Sequence, residues 1–418
     1  MNRLIAFTWI LLMAGIQISC EEDQDIRKAA KEPKEIDITA ITKQLVDSDN
    51  QFGFELFQKI AENQDSLQNT LISPVSVSLA LAMTYNGAAG ATQEGMEETL
   101  HLEGLSPEEI NQSYQSLIDE LSNADPKVTL EIANSIWYRQ GFEVEQNFKD
   151  INKTYYDAEV RALDFNNPEA VNTINEWVAD KTHNKIEEII KRIDPLTMMY
   201  LINALYFNGQ WKYQFDENKT AKETFFLQNG GSIRTDMMVT ETDLDYFSNE
   251  LFQAVEIPYG RGNYSMICFL PTGTHQVKDI VAAMNKENYN TWLNEFQEVG
   301  MQLYLPKFKF EYKKALKKQL KALGMEMAFH PTQADFSRIN PDIDDLYISE
   351  VLHKTFIEVD EKGTEAAAVT AVVVNTTSTG GGNDPMIVRL DKPFVFVIQE
   401  KYTNTVVFAG ILMEPVSL

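Results

Sequence analysis

The chain has 418 residues, enough for one large domain or two ordinary ones, and its 44% apolar content supports a sizeable core rather than a disordered polymer. Asp and Glu number 62 against 36 Lys and Arg, a formal net charge of −26. A surface this acidic repels phosphate backbones and heparin-like polyanions, which sets nucleic acid and polyanionic cofactors aside.

The N-terminal stretch MNRLIAFTWILLMAGIQISC places Arg3 before an apolar run from Leu4 to Ile16, with small Ser19 before Cys20. The run is short for a membrane span and reads as an export signal occupying residues 1–20. Its Ile-Ser-Cys ending resembles a bacterial lipoprotein signal, which implies that Cys20 is lipidated and becomes the mature N-terminus. Gln17 departs from the aliphatic residue usual there, and an ordinary secretory signal cleaved nearby is the alternative. The expected location is thus the outer membrane or cell surface of a bacterium, or the extracellular medium. Residues 21–48 are rich in charge and read as a tether, helical in places, with the folded domain over 49–418. Cys268 is the one other cysteine, so with Cys20 lipidated no internal disulfide is possible and packing alone must hold the domain. Cys268 itself sits in an apolar strand pattern and reads as an inert core residue.

Along the domain, NQFGFELFQKIAEN sets Phe52, Leu56, Phe57 and Ile60 on one helical face. Ser73 caps a second helix that Pro74 opens, and its nearly continuous apolar stretch to Tyr85 predicts burial on most sides. Gly87 and Gly90 end that helix, and Thr92 can cap the next. VTLEIANSIWY alternates like a strand from Val128 to Tyr138, and helical spacing follows from Val171 to Ile190. MMYLINALYFNGQW reads as a strand buried on both faces and ended by Asn208-Gly209. Further strand patterns are FQAVEIPY, YSMICFLP, MQLYLPKFKFEY, LYISEVLHKTFIEVDEKG, MIVRL, KPFVFVIQE and TVVFAGILMEP. Helices dominate the first half and strands the second, an α+β organisation without βαβ rhythm.

No GxSxG elbow, HExxH, Walker loop, GxGxxG or CxxC occurs, and His101, His183, His275, His330 and His353 show no metal-ligand spacing. His353 lies between apolar residues of a strand and reads as a buried, hydrogen-bonding histidine. Nothing in the sequence points to an enzyme, a cofactor or a metal.

The most unusual segment is TEAAAVTAVVV, Thr364 to Val374. As a strand it would carry Thr364, Ala366, Ala368, Thr370, Val372 and Val374 on one face, all small or β-branched and none charged. Glu365 falls on the other face with Ala367. No proline or glycine interrupts it, so every N–H could join a ladder. Yet it follows a strong strand across Gly363, a natural hinge, and leads into polar NTTSTGGGNDP, which reads as exposed.

At this point the chain resembles the serpin family. VDEKGTEAAAVTA matches the hinge of the reactive-centre loop, and NTLISPVSVSLALAMTYNGAAGAT, LEIANSIWY, INEWVADKTHNKI, LINALYFNGQWKYQF, ISEVLHKTFIEVDEKGTEA, KPFVFVI and VVFAGILMEP stand in family order. The resemblance covers about Asp49 to Leu418. It implies three β-sheets, eight or nine helices, and a metastable native state with the loop kept out of the central sheet. It also implies a monomer whose partner is a protease, serine or cysteine, trapped by insertion of the cleaved loop. The hinge residues Glu361, Gly363, Thr364, Glu365, Ala366, Ala367 and Ala368 fit the inhibitory pattern. Family spacing counted from Glu361 puts the bait bond at Thr377–Ser378, with Val373, Val374, Asn375 and Thr376 as alternatives because Gly380–Gly382 lengthen the loop. By the same resemblance Ser73, Ser76, Asn203 and His353 form a polar shutter beneath the central sheet, and Trp211, Lys307 and Glu361 mark the breach where the loop enters, with a Lys307–Glu361 ion pair. The alternatives from other classes are a non-inhibitory serpin and a surface binding lipoprotein.

Overall fold

The computed structural model describes residues 32–62, 67–364 and 385–416. The chain divides into a short N-terminal unit, Met1–Pro33, and a main unit, Lys34–Leu418, which holds every helix and strand named below.

The elements of the first half are α1 (Ala40–Glu62), β1 (Thr70–Ile72), α2 (Pro74–Tyr85), α3 (Gly90–Thr99), α4 (Pro107–Ser122), β2 (Val128–Arg139), α5 (Gln146–Tyr156), β3 (Glu159–Leu163), α6 (Glu169–Lys181) and β4 (Met199–Gln210). Then come β5 (Ala221–Phe226), β6 (Ser232–Ser248), β7 (Phe252–Pro258), β8 (Tyr264–Pro271), α7 (Val277–Ala283), α8 (Lys286–Leu293), β9 (Gln297–Pro306), β10 (Phe308–Ala315) and α9 (Lys317–Ala322). The chain closes with β11 (Leu352–Val359), β12 (Gly363–Thr364), β13 (Met386–Arg389), β14 (Phe394–Glu400) and β15 (Val406–Leu412).

Six strands form the central sheet in the order β10-β11-β12-β4-β2-β3. The other nine are joined by hydrogen bonds through β6, whose 17 residues serve two groups. Its start, Ser232–Met237, pairs with β5, its middle from Met237 to Tyr246 pairs with β9, and its end, Asp245–Ser248, pairs with β7 on the other edge, leading on to β8, β14, β15 and β1. The three groups of strands expected from the resemblance are present, with two of them sharing one long strand. Nine α-helices surround them among the described residues, as α+β organisation requires.

Phe52, Leu56, Phe57 and Ile60 of α1 are fully buried, the face that their spacing predicts. α2 is buried nearly throughout, from Pro74 to Tyr85, and lies against β4 and β15. Cys268 is buried in β8, and burial pushes its thiol up, out of the reactive range.

Several expectations need correction. The folded part begins before Asp49: α1 starts at Ala40, Ile36 is buried, and the Asn263 side chain holds the Lys34 peptide through bonds of 2.7 and 2.6 Å. Residues 34–48 therefore belong to the domain, not to the tether. Thr92 does not cap α3, which starts at Gly90; its hydroxyl accepts from the Asp335 N–H at 2.8 Å instead. The helical spacing to Ile190 is cut short at Lys181, because His183 and Asn184 take positive φ of 48° and 62° and a helix cannot run through them. β11 begins at Leu352, so the pattern from Leu346 to Val351 is not strand.

Candidate functional site

Trp211, Lys307 and Glu361 meet at one end of the central sheet. β11 ends at Val359 and the chain reverses through Asp360–Lys362, so that Thr364 pairs back with Val359. Asp360 builds the turn: its Oδ1 accepts from the N–H of Lys362 at 2.8 Å and of Gly363 at 3.1 Å, and its own N–H donates to the Gly363 carbonyl at 2.9 Å. This is the side-chain-to-backbone bonding that aspartate offers in turns. Trp211, the residue after β4, clamps the turn, donating from Nε1 to the Asp360 carbonyl at 2.9 Å and from its backbone N–H to the Lys362 carbonyl at 2.8 Å. Its ring stacks on Tyr259 at 4.3 Å.

Glu361 points inward and is 7% exposed. Its carboxylate accepts from Lys307 Nζ at 2.8 Å and from the Thr220 hydroxyl at 2.7 Å. Burial works to raise its pKa, but these bonds outweigh it and hold the carboxyl below the usual range. Burial opposes the charge on Lys307 too, and Glu361 overcomes it, holding the ammonium above its usual range.

Gly363 and Thr364 are the only described residues between β11 and β4; among the described residues no direct pairing joins those two strands. Gly363 pairs with Gln210 and Thr364 with Gly209. A Cβ on Gly363 would lie 2.0 Å from the Gly209 carbonyl oxygen, so only glycine lets the backbones approach this closely. Thr364 is 3% exposed and its hydroxyl meets the Tyr259 hydroxyl at 2.5 Å. Gly363 and Thr364, at the foot of the expected loop, already stand in the ladder, and the loop beyond Thr364 lies outside the described residues.

Farther along the same lane Ser73, Ser76, Asn203 and His353 form a connected cluster. The Ser73 N–H donates to His353 Nε2 at 3.1 Å, which requires a neutral ring, and burial lowers His353 to about 4. Ser73 Oγ caps α2 by accepting from the Ser76 N–H at 3.3 Å. Ser76 Oγ donates to Asn203 Oδ1 of β4, and Asn203 Nδ2 donates to Asn134 Oδ1 of β2 at 2.8 Å. Asn134 then donates to the Tyr156 carbonyl at 2.8 Å, and Thr355 of β11 donates to the Leu71 carbonyl at 2.8 Å. The start of α2 thus ties β11 on one side of the lane to β4 and β2 on the other.

The opposite face of the sheet is crossed by the segment after α6. The His183 ring packs against Tyr206 of β4, tilted by 44° with centroids 4.2 Å apart, and Lys185 lies 3.6 Å from Glu358 of β11. Lys354 of β11 and Lys313 of β10 donate to the carbonyls of Glu188 and Ile189 at 3.2 and 3.0 Å.

Sequence reasoning missed Thr220, Tyr259, Asn134 and Thr355. A lone asparagine inside VTLEIANSIWY is a readable signal, since a buried amide needs partners; Thr220 and Tyr259 carry none. Glu365, Ala366, Ala367, Ala368, the bond Thr377–Ser378 with its alternatives, and Cys20 lie outside the described residues.

The central sheet thus holds a two-residue strand between two long neighbours, clamped at one end by Trp211 and tied beneath by the start of α2. The family model for Serpin (serine protease inhibitor) matches residues 47–415, and the chain belongs to that family. It is 35% identical over 381 residues to an uncharacterized serpin-like protein of Thermococcus kodakarensis, covering 89% of this chain and 86% of that one. Among solved structures it resembles the thermophilic serpin tengpin in its native state, with a TM-score of 0.81 and 34% identity over 91% of this chain and 96% of that one. It also resembles human thyroxine-binding globulin in complex with thyroxine, with a TM-score of 0.80 and 27% identity over 90% of this chain and all of that one, 100%.

Proposed function

We propose that the protein is a suicide inhibitor of proteases that bears its bait after Thr364. A protease nucleophile attacks the Thr377 carbonyl, the bond to Ser378 breaks, Ser378 leaves as a new amino terminus, and Thr377 is left as an acyl-enzyme. The freed segment then extends β12 down the lane between β11 and β4 and carries the protease with it. Distortion of the protease's oxyanion hole stalls deacylation. The protein supplies no catalytic group.

The observation that carries this reading is β12 itself. Thr364 already points inward between β11 and β4, so strand alternation sends Ala366, Ala368, Thr370, Val372 and Val374 inward after it. All are small or β-branched and uncharged, and Glu365 falls outward. A charge on the inward face would cost several kcal/mol, on the order of 2–7 for a polar group without a partner. Thr, Val and Ala at the bait suit the shallow pockets of elastase-like or subtilisin-like serine proteases, with papain-like cysteine proteases next. A bait without lysine or arginine is a poor fit to trypsin-like enzymes.

We read the N-terminus as an export signal with lipid on Cys20, which sets the inhibitor on a bacterial surface, where it shields the envelope from proteases. Mass spectrometry of the mature N-terminus tests this: an acylated Cys20 supports it, and an unmodified residue elsewhere replaces it with secretion.

The inhibitory reading is tested by mixing the protein with an elastase-like and a subtilisin-like protease on a denaturing gel. A band of summed size and a released peptide beginning at Ser378 support it. Cleavage with no covalent band, across serine and cysteine proteases alike, makes the protein a substrate or a non-inhibitory member of its family.

A further inference from the structure

Asp49 of α1 is 2% exposed, and its carboxyl faces α2 from within the core. Its Oδ1 accepts from the Tyr114 hydroxyl of α4 at 2.8 Å. Its Oδ2 has no partner, and neither has Ser78 Oγ, the fully buried hydroxyl of α2 that faces it. The titratable groups turned toward Asp49 are two phenols, Tyr114 and, packed against it at 5.8 Å, Tyr156 of α5. Among the described residues no cation reaches the carboxyl. An ionised carboxylate here would be a buried charge with one donor and no counter-ion, which is costly. A proton on Oδ2 removes the charge and turns the orphan acceptor into a donor for Ser78.

We propose that Asp49 is a neutral carboxylic acid in the native protein, donating from Oδ2 to Ser78 Oγ, and that this proton-held lock on α2 offsets the acid sensitivity of His353. The two groups hold the same helix: His353 accepts at Ser73, at its start, and Asp49 faces Ser78, little more than a turn on. Burial raises Asp49 from 3.8 to about 7 and lowers His353 from 6.5 to about 4. Lys314 of β10 is the cross-strand partner of His353 and the Ser73 N–H at the start of α2 bonds its ring; neither is an anion that could hold an imidazolium.

The signs are opposite. From 6.5 down to about 4 the native Asp49 keeps a proton that the unfolded chain has released, so this group adds stability as pH falls. Over the same interval the unfolded histidine takes up a proton that the native ring refuses, so His353 removes stability as pH falls. Each slope is about tenfold in the unfolding constant per pH unit, and together they cancel.

The test is Asp49→Asn in the full-length protein, since an amide can donate to Ser78 and accept from Tyr114 without titrating. Relative to the unsubstituted protein, the variant's unfolding constant is expected to worsen about tenfold per unit as pH falls from about 6.5 to about 4.5 in denaturant titrations. Parallel profiles overturn the proposal. Should the variant not fold, infrared spectra of the unsubstituted protein decide. A protonated-carboxyl C=O band is expected that disappears on raising the pH through about 7 and moves to higher frequency in Ser78→Ala. No such band, or one indifferent to Ser78→Ala, overturns it equally.

Discussion

Lys307 and Glu361 stand 54 residues apart in sequence and 2.8 Å apart in space, joining the start of the β9–β10 corner to the turn from which the loop departs. Their side chains are only 27% and 8% exposed, so the pair is not a surface ion pair of negligible worth. Breaking one partner leaves the other charge half-buried. Glu361→Lys is expected to lower stability by about 2 kcal/mol, discounted from the ~3–5 of a fully buried pair. Thermal unfolding, with native gels for spontaneous polymerisation, checks it; unchanged inhibition together with unchanged resistance to polymerisation would remove the pair's role as a gate.

Gly363 is a steric requirement rather than a free hinge. Gly363→Val places its Cβ against the β4 backbone at Gly209 and is expected to expel β12 from the ladder. Cleavage should then proceed with the covalent band reduced about tenfold or more, a ratio that corresponds to ~1.4 kcal/mol in the competition between insertion and deacylation. A covalent yield equal to the unsubstituted protein would show that β12 can form without this approach.

Ala368→Arg tests the inward face beyond β12. In the inserted strand of the proposed function, alternation from Thr364 turns this side chain inward, so the charge would cost several kcal/mol, about 2 or more. The expected product is cleaved protein and active protease, with little change in the stability of the uncleaved form.

Asn203→Ala removes the junction between Ser76 and Asn134 and leaves both without that partner. A loss of about 1–3 kcal/mol is expected, read as a lower denaturation midpoint. Asn203→Asp would keep an acceptor for Ser76 and lose the donor to Asn134, so its defect should be smaller at acid pH, where the carboxyl is protonated, than at neutral pH.

His353→Gln isolates the other pH-sensitive group. The native ring is held down to about 4 from an ordinary 6.5, so its penalty is absent above 6.5 and complete below about 4. The variant should therefore gain on the unsubstituted protein as pH falls through that window, by at most about 3 kcal/mol at 1.36 kcal/mol per unit. Denaturant titrations at a series of pH values measure it, and equal slopes would place the ring's titration elsewhere.

Much of this architecture is legible in the residues. Phe52, Leu56, Phe57 and Ile60 announce their helix by spacing, and β2, β4, β14 and β15 by alternation or unbroken apolar runs. β6 was not legible: SIRTDMMVTETDLDYFS mixes charges into both faces because much of its length is only half-buried, so its pairing rather than its pattern makes it a strand. The end of α6 was hidden too, since INEWVADKTHNKIEEII keeps helical spacing through two residues that the tertiary fold forces to positive φ. At the site, His353 was readable as a buried histidine, but its bond to Ser73 spans 280 positions and no local pattern encodes it. Asp49 was invisible for the opposite reason: VDSDNQ looks like a solvated start, and only packing shows that one of its two aspartates is inside.

The strap of residues 183–189 gives the lane a roof, as α2 gives it a floor. A strand added between β11 and β4 cannot then drop in broadside. On the proposed function it advances lengthwise from the Trp211 end, beneath a segment held to β4 by His183 and to β11 by Lys185 and Lys354. Filling the sheet is thereby given a sequence in time as well as a place. A loop that stalls midway would leave the molecule held open at its far end, with β4 and β11 each offering an unpaired edge to a neighbouring copy.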